Sequence, residues 1–493
     1  MKTGLLFKDK PLRLKELNSF DKALIDDLEL ELIFNEAADR SKIIRNVFEN
    51  VLLSPIMDKE LILYRQEILK DVINNKVQVA KFYDLISVAI YNIKDKFRFG
   101  IIDNSPSAVV RTSVDMMKYA FEQIEYAREY LVNFNNVKSE GLKSFIEDMN
   151  KVFDPQTIAK ARTVLNGMDF ENGYMVSAEL DSTMTENNYV FYRSTFIDKD
   201  SKKRWKKAEV IEFPTMSESL VNDINKKLDL AFKSAAPIMG RVMNDIMDYL
   251  DCLRNELAFY VGCINLYNSF NKNGMEFTFP SISDNNDFIY ENLYDVALSF
   301  RNKKMAVGNN HNILNKKIMV ITGANQGGKT TFLRSFGQAK LMLQCGMFVG
   351  AKSLTLGLTN GIYTHFDREE DTNMESGKLD DELKRLSLIV DDIKPGATIL
   401  LNESFQSTNE REGSTIGFEV IRALLDSNIN IILVTHMYEL AMDVKNSYNK
   451  DAIFMRAERN DDGSRTFKIS ENETLRTSFA MDLYNKIFSE SNS

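Results

Sequence analysis

Apolar positions recur every three or four residues from about Leu14 to Val51, the spacing that lines one face of a helix. Pro55 interrupts this pattern. It resumes from about Asp58 to Lys96 and again, beyond FRFGIIDNSPS, to about Leu165. Packed helices burying apolar stripes account for all of it, and no catalytic motif falls there. At Gly173 the period shortens to two. GYMVSAELD and NNYVFYRSTFI alternate and are rich in aromatic and β-branched residues, which predicts strands. DKDSKKRWKKAEVIEF predicts a polar turn and a third strand, closed by Pro214. Helical spacing returns from about Ser217 to Phe270, with Pro237 the expected kink. From about Phe277 short apolar strands alternate with helices of moderate length, the pattern of a mostly parallel α/β sheet.

The expected organisation is a helical region over residues 1–172, a small β-rich unit over 173–214, returning helices over 215–275 and an α/β domain over 276–493. Composition adds little to this: 44% hydrophobic and 27% charged is the balance of a globular chain. The 8 prolines are few enough to favour long helices. A net charge of −9 argues against nucleic-acid binding by the whole surface but leaves room for a local basic patch. Cys252, Cys263 and Cys345 sit among apolar residues with no C-x-x-C spacing, so buried free thiols in a reducing cytoplasm are expected. No apolar run is long enough for a signal peptide or a membrane span, so no membrane partner is expected.

The chemistry gathers late in the chain. Lys317 to Thr322 (KIMVIT) reads as a buried strand. Gly323-Ala324-Asn325-Gln326-Gly327-Gly328-Lys329-Thr330 follows, with Thr331 next, and fits G-x-x-x-x-G-K-[ST] between a strand and a helix. Its glycines let backbone N–H groups face phosphates, and the following helix offers its positive end. Lys329 is expected on the β- and γ-phosphates of ATP, and the Thr330 hydroxyl on Mg²⁺. ATILLNE is a second strand, ending in Asn402 and Glu403. Glu403 is placed to orient an attacking water. Asn402 stands where a metal-supporting aspartate is usual; its amide oxygen can support Mg²⁺ without the charge. INIILVTH is a third strand, carrying His436 to the same edge, where imidazole could meet the γ-phosphate or the water. His311 and His365 have no comparable support, and three scattered histidines make no zinc site.

In order, TGANQGGKTT, YTHFDREEDTNMESGKLDDELKRL, ATILLNESFQST and ILVTHMYEL resemble the ATPase domain of the MutS family, within the ABC superfamily. Asn325 with Gly327-Gly328, Ser376-Gly377-Lys378 and Thr435-His436 with Glu439-Leu440 carry the likeness, and Thr477 to Ala480 extends it. DKELILYRQEILKDVINN is similar to the family's core helices, and IMDYLDCLRNELAFY to its lever helix. The resemblance implies an ABC-type P-loop ATPase domain preceded by a helical core and lever region with a small β insertion. It implies a homodimer with composite ATP sites, in which Ser376 and Gly377 approach the partner's bound nucleotide. It places Val307 to Asn310 near the adenine. It also implies a cytoplasmic, ATP-driven DNA clamp acting in mismatch repair, other repair or recombination.

Phe34-Asn35-Glu36 matches the mismatch readers' Phe-x-Glu, but inside a helical pattern, so coincidence is expected. The short stretch before Leu14 leads us to expect no mismatch-recognition domain, and none of the nuclease-like extensions is expected after Ser493. Lys202, Lys203, Arg204, Trp205, Lys206 and Lys207 form the strongest basic cluster, suited to gripping DNA phosphates with Trp205 stacking. A solvated turn is the competing reading. A protein-interaction switch with weak ATPase activity is the alternative function; a small-molecule kinase or a transporter subunit fits the helical half poorly.

Overall fold

The structure is a computed structural model that describes residues 3–96, 104–166, 175–180, 182, 186–192, 218–324, 326–368, 377–460 and 464–472. The chain divides into two compact units, one of residues 1–12 and 74–257, the other of residues 13–73 and 258–493.

In the second unit the chain begins with α1 (Ser19–Asp27), α2 (Leu30–Ala38), α3 (Lys42–Leu52) and α4 (Lys59–Asn74). The single helical stretch expected over Leu14 to Val51 is therefore three helices. The breaks fall at Glu29 (φ 53°), Asp39 (φ 41°) and Arg40 (φ 71°), left-handed residues that are not glycine. Tertiary contact imposes the first break: Glu29 takes ion pairs from Arg334 at 2.7 Å and Arg301 at 2.6 Å. Pattern alone carries no sign of a turn set by partners so far along the chain.

The first unit holds α5 (Lys76–Lys96), α6 (Pro106–Tyr130), α7 (Glu140–Val152), α8 (Pro155–Asn166), a hairpin of β1 (Met175–Leu180) and β2 (Glu186–Tyr192), and α9 (Glu218–Phe232). The expected run from Asp58 to Lys96 breaks at Asn75. Its side chain accepts from Asn135 N–H at 2.8 Å and donates to Asn135 O at 3.0 Å. The antiparallel hairpin agrees with the alternation seen there; the expected third strand lies outside the described residues. A new helix, α10 (Ala236–Lys272), starts at the kink expected near Pro237. Proline in a first turn forfeits no helical bond, so it opens a helix here instead of bending one. The boundary between the units falls within α10. Near the other end of the first unit's sequence, buried Glu256 of α10 accepts the N–H groups of Leu5 and Leu6 at 2.9 and 3.2 Å, fixing the irregular N-terminal segment.

The rest of the second unit is α/β. A four-stranded mixed sheet joins β3 (Ser281–Ser283), β4 (Phe288–Leu293), β5 (Asn309–Ile313) and β7 (Ser353–Gly357) in the order β3-β7-β4-β5. A six-stranded sheet runs β12-β11-β6-β10-β9-β8. Its members are β6 (Ile318–Thr322), β8 (Ile362–Phe366), β9 (Thr398–Asn402), β10 (Asn430–Val434), β11 (Ala452–Arg459) and β12 (Arg465–Glu471). Only the β11–β12 pair is antiparallel. β6, β9 and β10 are near-continuous apolar runs because helices cover both faces of a parallel sheet. Helices α11 (Val296–Asn302), α12 (Lys329–Gln344), α13 (Lys378–Asp392), α14 (Glu410–Asp426) and α15 (Tyr438–Tyr448) complete this unit. Ile318, Val320, Ile399, Leu401, Ile431 and Leu433 meet Phe405, Ile421 and Leu440 in one core. Phe20 of α1 meets Tyr363 of β8 edge-on, ring centroids 5.8 Å apart, so α1 lies against that edge strand. Among the described residues, no helix is long and apolar enough to cross a membrane.

Candidate active site

The parallel register sets the site. β6, β10 and β9 lie side by side, with Thr398↔Asn430 and Asn402↔Val434 in step, so all three strands end at one edge. Beyond β6 the chain turns sharply through Gly323 (φ 119°), Gln326 (φ 60°) and Gly328 (φ 95°) into α12. A Cβ on Gly327 would stand 2.9 Å from Ala324 O and 2.9 Å from the Ala457 side chain. Only glycine fits there without a shift, so no side chain stands over the backbone at Gly327. Arg465 of β12 braces the loop from outside, donating to Gln326 Oε1 at 2.6 Å.

Lys329, 4% exposed, turns back under the loop. Its ammonium donates to Gly323 O at 2.8 Å and Ala324 O at 3.4 Å, and lies 3.4 Å from Glu403 Oε1. The Thr330 hydroxyl donates to Asn402 Oδ1 at 3.1 Å. Glu403 Oε2 accepts from His436 Nδ1–H at 2.9 Å and also from the Gln406 amide. Burial pushes the Glu403 carboxyl up, but the bond to His436 and the charges of Lys329 and His436 outweigh it and hold it below its usual range. The same bond to Glu403 raises the His436 imidazole above its ordinary value, against its partial burial. The structure thus brings Lys329, Thr330, Asn402, Glu403 and His436 into one connected group.

Gly377 caps the N-terminus of α13. Asn325, Ser376 and the whole cluster Lys202, Lys203, Arg204, Trp205, Lys206 and Lys207 lie outside the described residues. His365 is buried, its ring nitrogens 2.8 Å from Ser404 Oγ and 3.2 Å from Glu382 O, and burial lowers its pKa. His311 Nδ1 accepts from Asn312 N–H at 2.7 Å. Sequence reasoning passed over Gln406 and Arg465. Gln406 sits inside the quoted ATILLNESFQST, three residues past Glu403, and that nearness was its one signal. Arg465 had none, because β12 reaches the loop only through sheet pairing. Cys263 and Cys345 are buried free thiols, whereas Cys252 is half-buried.

Fold and site together define an α/β protein of the class that assembles its polar chemistry at the carboxyl edge of a parallel sheet. Residues 57–273 match the model of the MutS2 N-terminal domain, and residues 319–488 that of MutS domain V. The mouse MutS protein homolog 4 is 20% identical over 406 residues, 80% of this chain and 42% of that protein. The DNA mismatch repair protein MutS of Clostridium tetani is 22% identical over 491 residues, 90% of this chain and 51% of that one. Endonuclease MutS2 of Thermus thermophilus is 29% identical over 124 residues, 25% of this chain and 17% of its own. The chain belongs to the MutS family. It spans about half the length of the mouse and Clostridium relatives.

Proposed function

We propose that this chain binds and hydrolyses ATP on a P-loop of the ABC type, residues Gly323 to Thr331. As a homodimer of the MutS kind, it uses that cycle to change its hold on DNA in mismatch repair or a related process. The observation that carries the reading is the connected group Lys329–Glu403–His436 at the mouth of a glycine-tight loop. A loop held to glycine by contact at Gly327 can turn its N–H groups to phosphate oxygens, and α12 adds its positive end. Lys329, already collecting carbonyl oxygens and a carboxylate, is the cation for the β- and γ-phosphates. Glu403 stays ionised, so it accepts a hydrogen bond from the attacking water and orients it. A carboxyl held low is a poor proton sink, so its contribution is alignment and charge more than proton removal. His436, its pKa raised, offers a proton or positive charge to the terminal phosphate.

Mg²⁺ would be held by the Thr330 hydroxyl and the Asn402 amide oxygen and would neutralise phosphate charge. Hard oxygen donors beside one carboxylate fit an ion that keeps waters and phosphate oxygens in its shell. Ser376 and Gly377 would serve the partner's nucleotide from the N-terminus of α13, and Lys202 to Lys207 with Trp205 would contact duplex DNA. The domain divisions at residues 172, 214 and 275 belong to the same proposal.

The deciding experiment measures ATP hydrolysis by the purified chain, and its binding to duplex, mismatched, branched and single-stranded DNA with and without Mg-ATP. Nucleotide-dependent DNA binding is expected; intact hydrolysis with no DNA binding at low salt would sink the clamp reading. The amide at Asn402 favours one second reading, a slow nucleotide-gated protein-interaction switch. Asn402→Asp should then lower the Mg²⁺ concentration needed for half-maximal turnover, and an unchanged Mg²⁺ titration would remove Asn402 as the brake.

A further inference from the structure

Glu382 lies in the second turn of α13, is 2% exposed, and has no part in the reaction described above. Its Oε1 accepts Phe405 N–H at 2.5 Å and its Oε2 accepts the Ser407 hydroxyl at 2.7 Å. Both donors lie on the loop that leaves β9 immediately after Glu403. That loop is strained: Glu403 (φ 54°) and Phe405 (φ 70°) both adopt the left-handed conformation that L side chains avoid. Such backbones persist where the surroundings over-determine them. Here the restraints are few and identifiable. Glu403 N–H donates to Val434 O at 2.9 Å, Ser404 is buried against His365, and Glu382 holds the next two donors. The His365 ring, 3.2 Å from the Glu382 carbonyl, joins the helix to the same loop a second time.

We propose that Glu382 is a positioning residue that couples α13 to the acid Glu403, so that engagement of the helix N-terminus at Gly377 is felt at Glu403 through Phe405 and Ser407. This rests on the ATPase reading and adds to it a regulation of the same site. The coupling works because two buried hydrogen bonds tie an otherwise unfavourable loop conformation to one helix. Displacing α13 along its axis moves the Glu382 carboxylate and with it Phe405 N–H, two residues from the acid.

Substitutions at Glu382 separate placement from binding. Glu382→Ala leaves the Phe405 N–H buried without an acceptor. Glu382→Asp keeps the charge but withdraws it by one methylene, about 1.5 Å. Glu382→Gln can satisfy both donors: its carbonyl accepts from Phe405 N–H, and its amide donates to the Ser407 hydroxyl, which can accept as well as donate. In the full chain, kcat for ATP and the equilibrium Kd of a fluorescent ATP analogue are measured beside the thermal melt. Glu382→Asp and Glu382→Ala should lose tenfold or more in kcat with Kd within about twofold, a loss of about 1.4 kcal/mol of transition-state stabilisation. Glu382→Gln should restore most of the lost turnover. If the alanine variant does not fold, the aspartate variant carries the test. Wild-type turnover in Glu382→Asp, or a parallel loss of turnover and binding, overturns the coupling. Glu403→Gln is the control: its full activity would overturn the ATPase reading itself, whereas its inactivity beside an active Glu382→Asp overturns only the coupling.

Discussion

At the residue scale, Glu403 and His436 form a pair whose ionisations support each other, and pH separates their roles. The Glu403 carboxyl is lowered, so its contribution to stability is complete above the ordinary carboxylate range and is lost as pH falls through its folded value. The His436 imidazole is raised, so its contribution is complete below its unfolded value near 6.5 and is lost as pH rises through the folded value. ATP turnover should therefore fall on the alkaline side of an ordinary histidine titration. His436→Gln should flatten that limb, while Glu403→Gln should cut kcat by roughly 10²–10³-fold at every pH, because the amide fills the same place but lacks the charge that aligns the attacking water. A pH–rate profile that keeps its alkaline limb in His436→Gln would assign that limb to another group.

Lys340 poses a different problem at the same scale. It is fully buried on α12, with its amine donating to Gly357 O at 2.6 Å, and burial pulls its pKa down to about 7. Above that value the folded chain binds one proton fewer than the unfolded one, until the unfolded lysine itself titrates near 10.4. The sign of the linkage follows: this residue's cost is greatest below about pH 7 and lessens as pH rises. Lys340→Met should abolish that gain. Denaturant midpoints at pH 7 and pH 9 check it, and an equal rise in wild type and variant would show that Lys340 stays charged in the fold.

Elements explain where the sequence was readable. β6 and β9 are short apolar runs ending in Thr322 and Asn402, and β10 is one followed by Thr435 and His436, so the convergence of Lys329, Asn402, Glu403 and His436 could be read from periodicity and motif spacing. The breaks at Glu29 and Asn75 could not, because they are set by Arg334, Arg301 and Asn135, far away in the chain. Glu382 was invisible for a related reason: on its own helix it reads as one more solvated carboxylate, and only the return of the β9 loop buries it. The loop glycines permit a test at this scale. Gly327→Ala forces a Cβ against Ala324 O and Ala457, so the loop must open. Nucleotide affinity should drop by about tenfold, or 1.4 kcal/mol. Calorimetric titration of an ATP analogue measures it, and unchanged affinity would mean that the loop tolerates the shift.

For the whole molecule, a net charge of −9 leaves the proposed hold on DNA to a local feature. Charge reversal of Lys202, Lys203 and Arg204 should weaken duplex binding and flatten its dependence on salt, because each neutralised phosphate contributes a slope of about −0.9 to the log–log plot. An unchanged slope would move the contact elsewhere.

The unit that carries the site is assembled from residues 13–73 and 258–493, with the other unit threaded between them. On the ribosome, α1 to α3 therefore emerge long before the arginines and the sheet edge they are built to meet. At about 5–20 residues per second, they wait roughly twelve to sixty seconds for those partners. Sheltering the nascent chain during that interval should then raise its yield. Slower translation after Ile73 prolongs the exposure, and a chaperone that holds the early helices shortens its consequences.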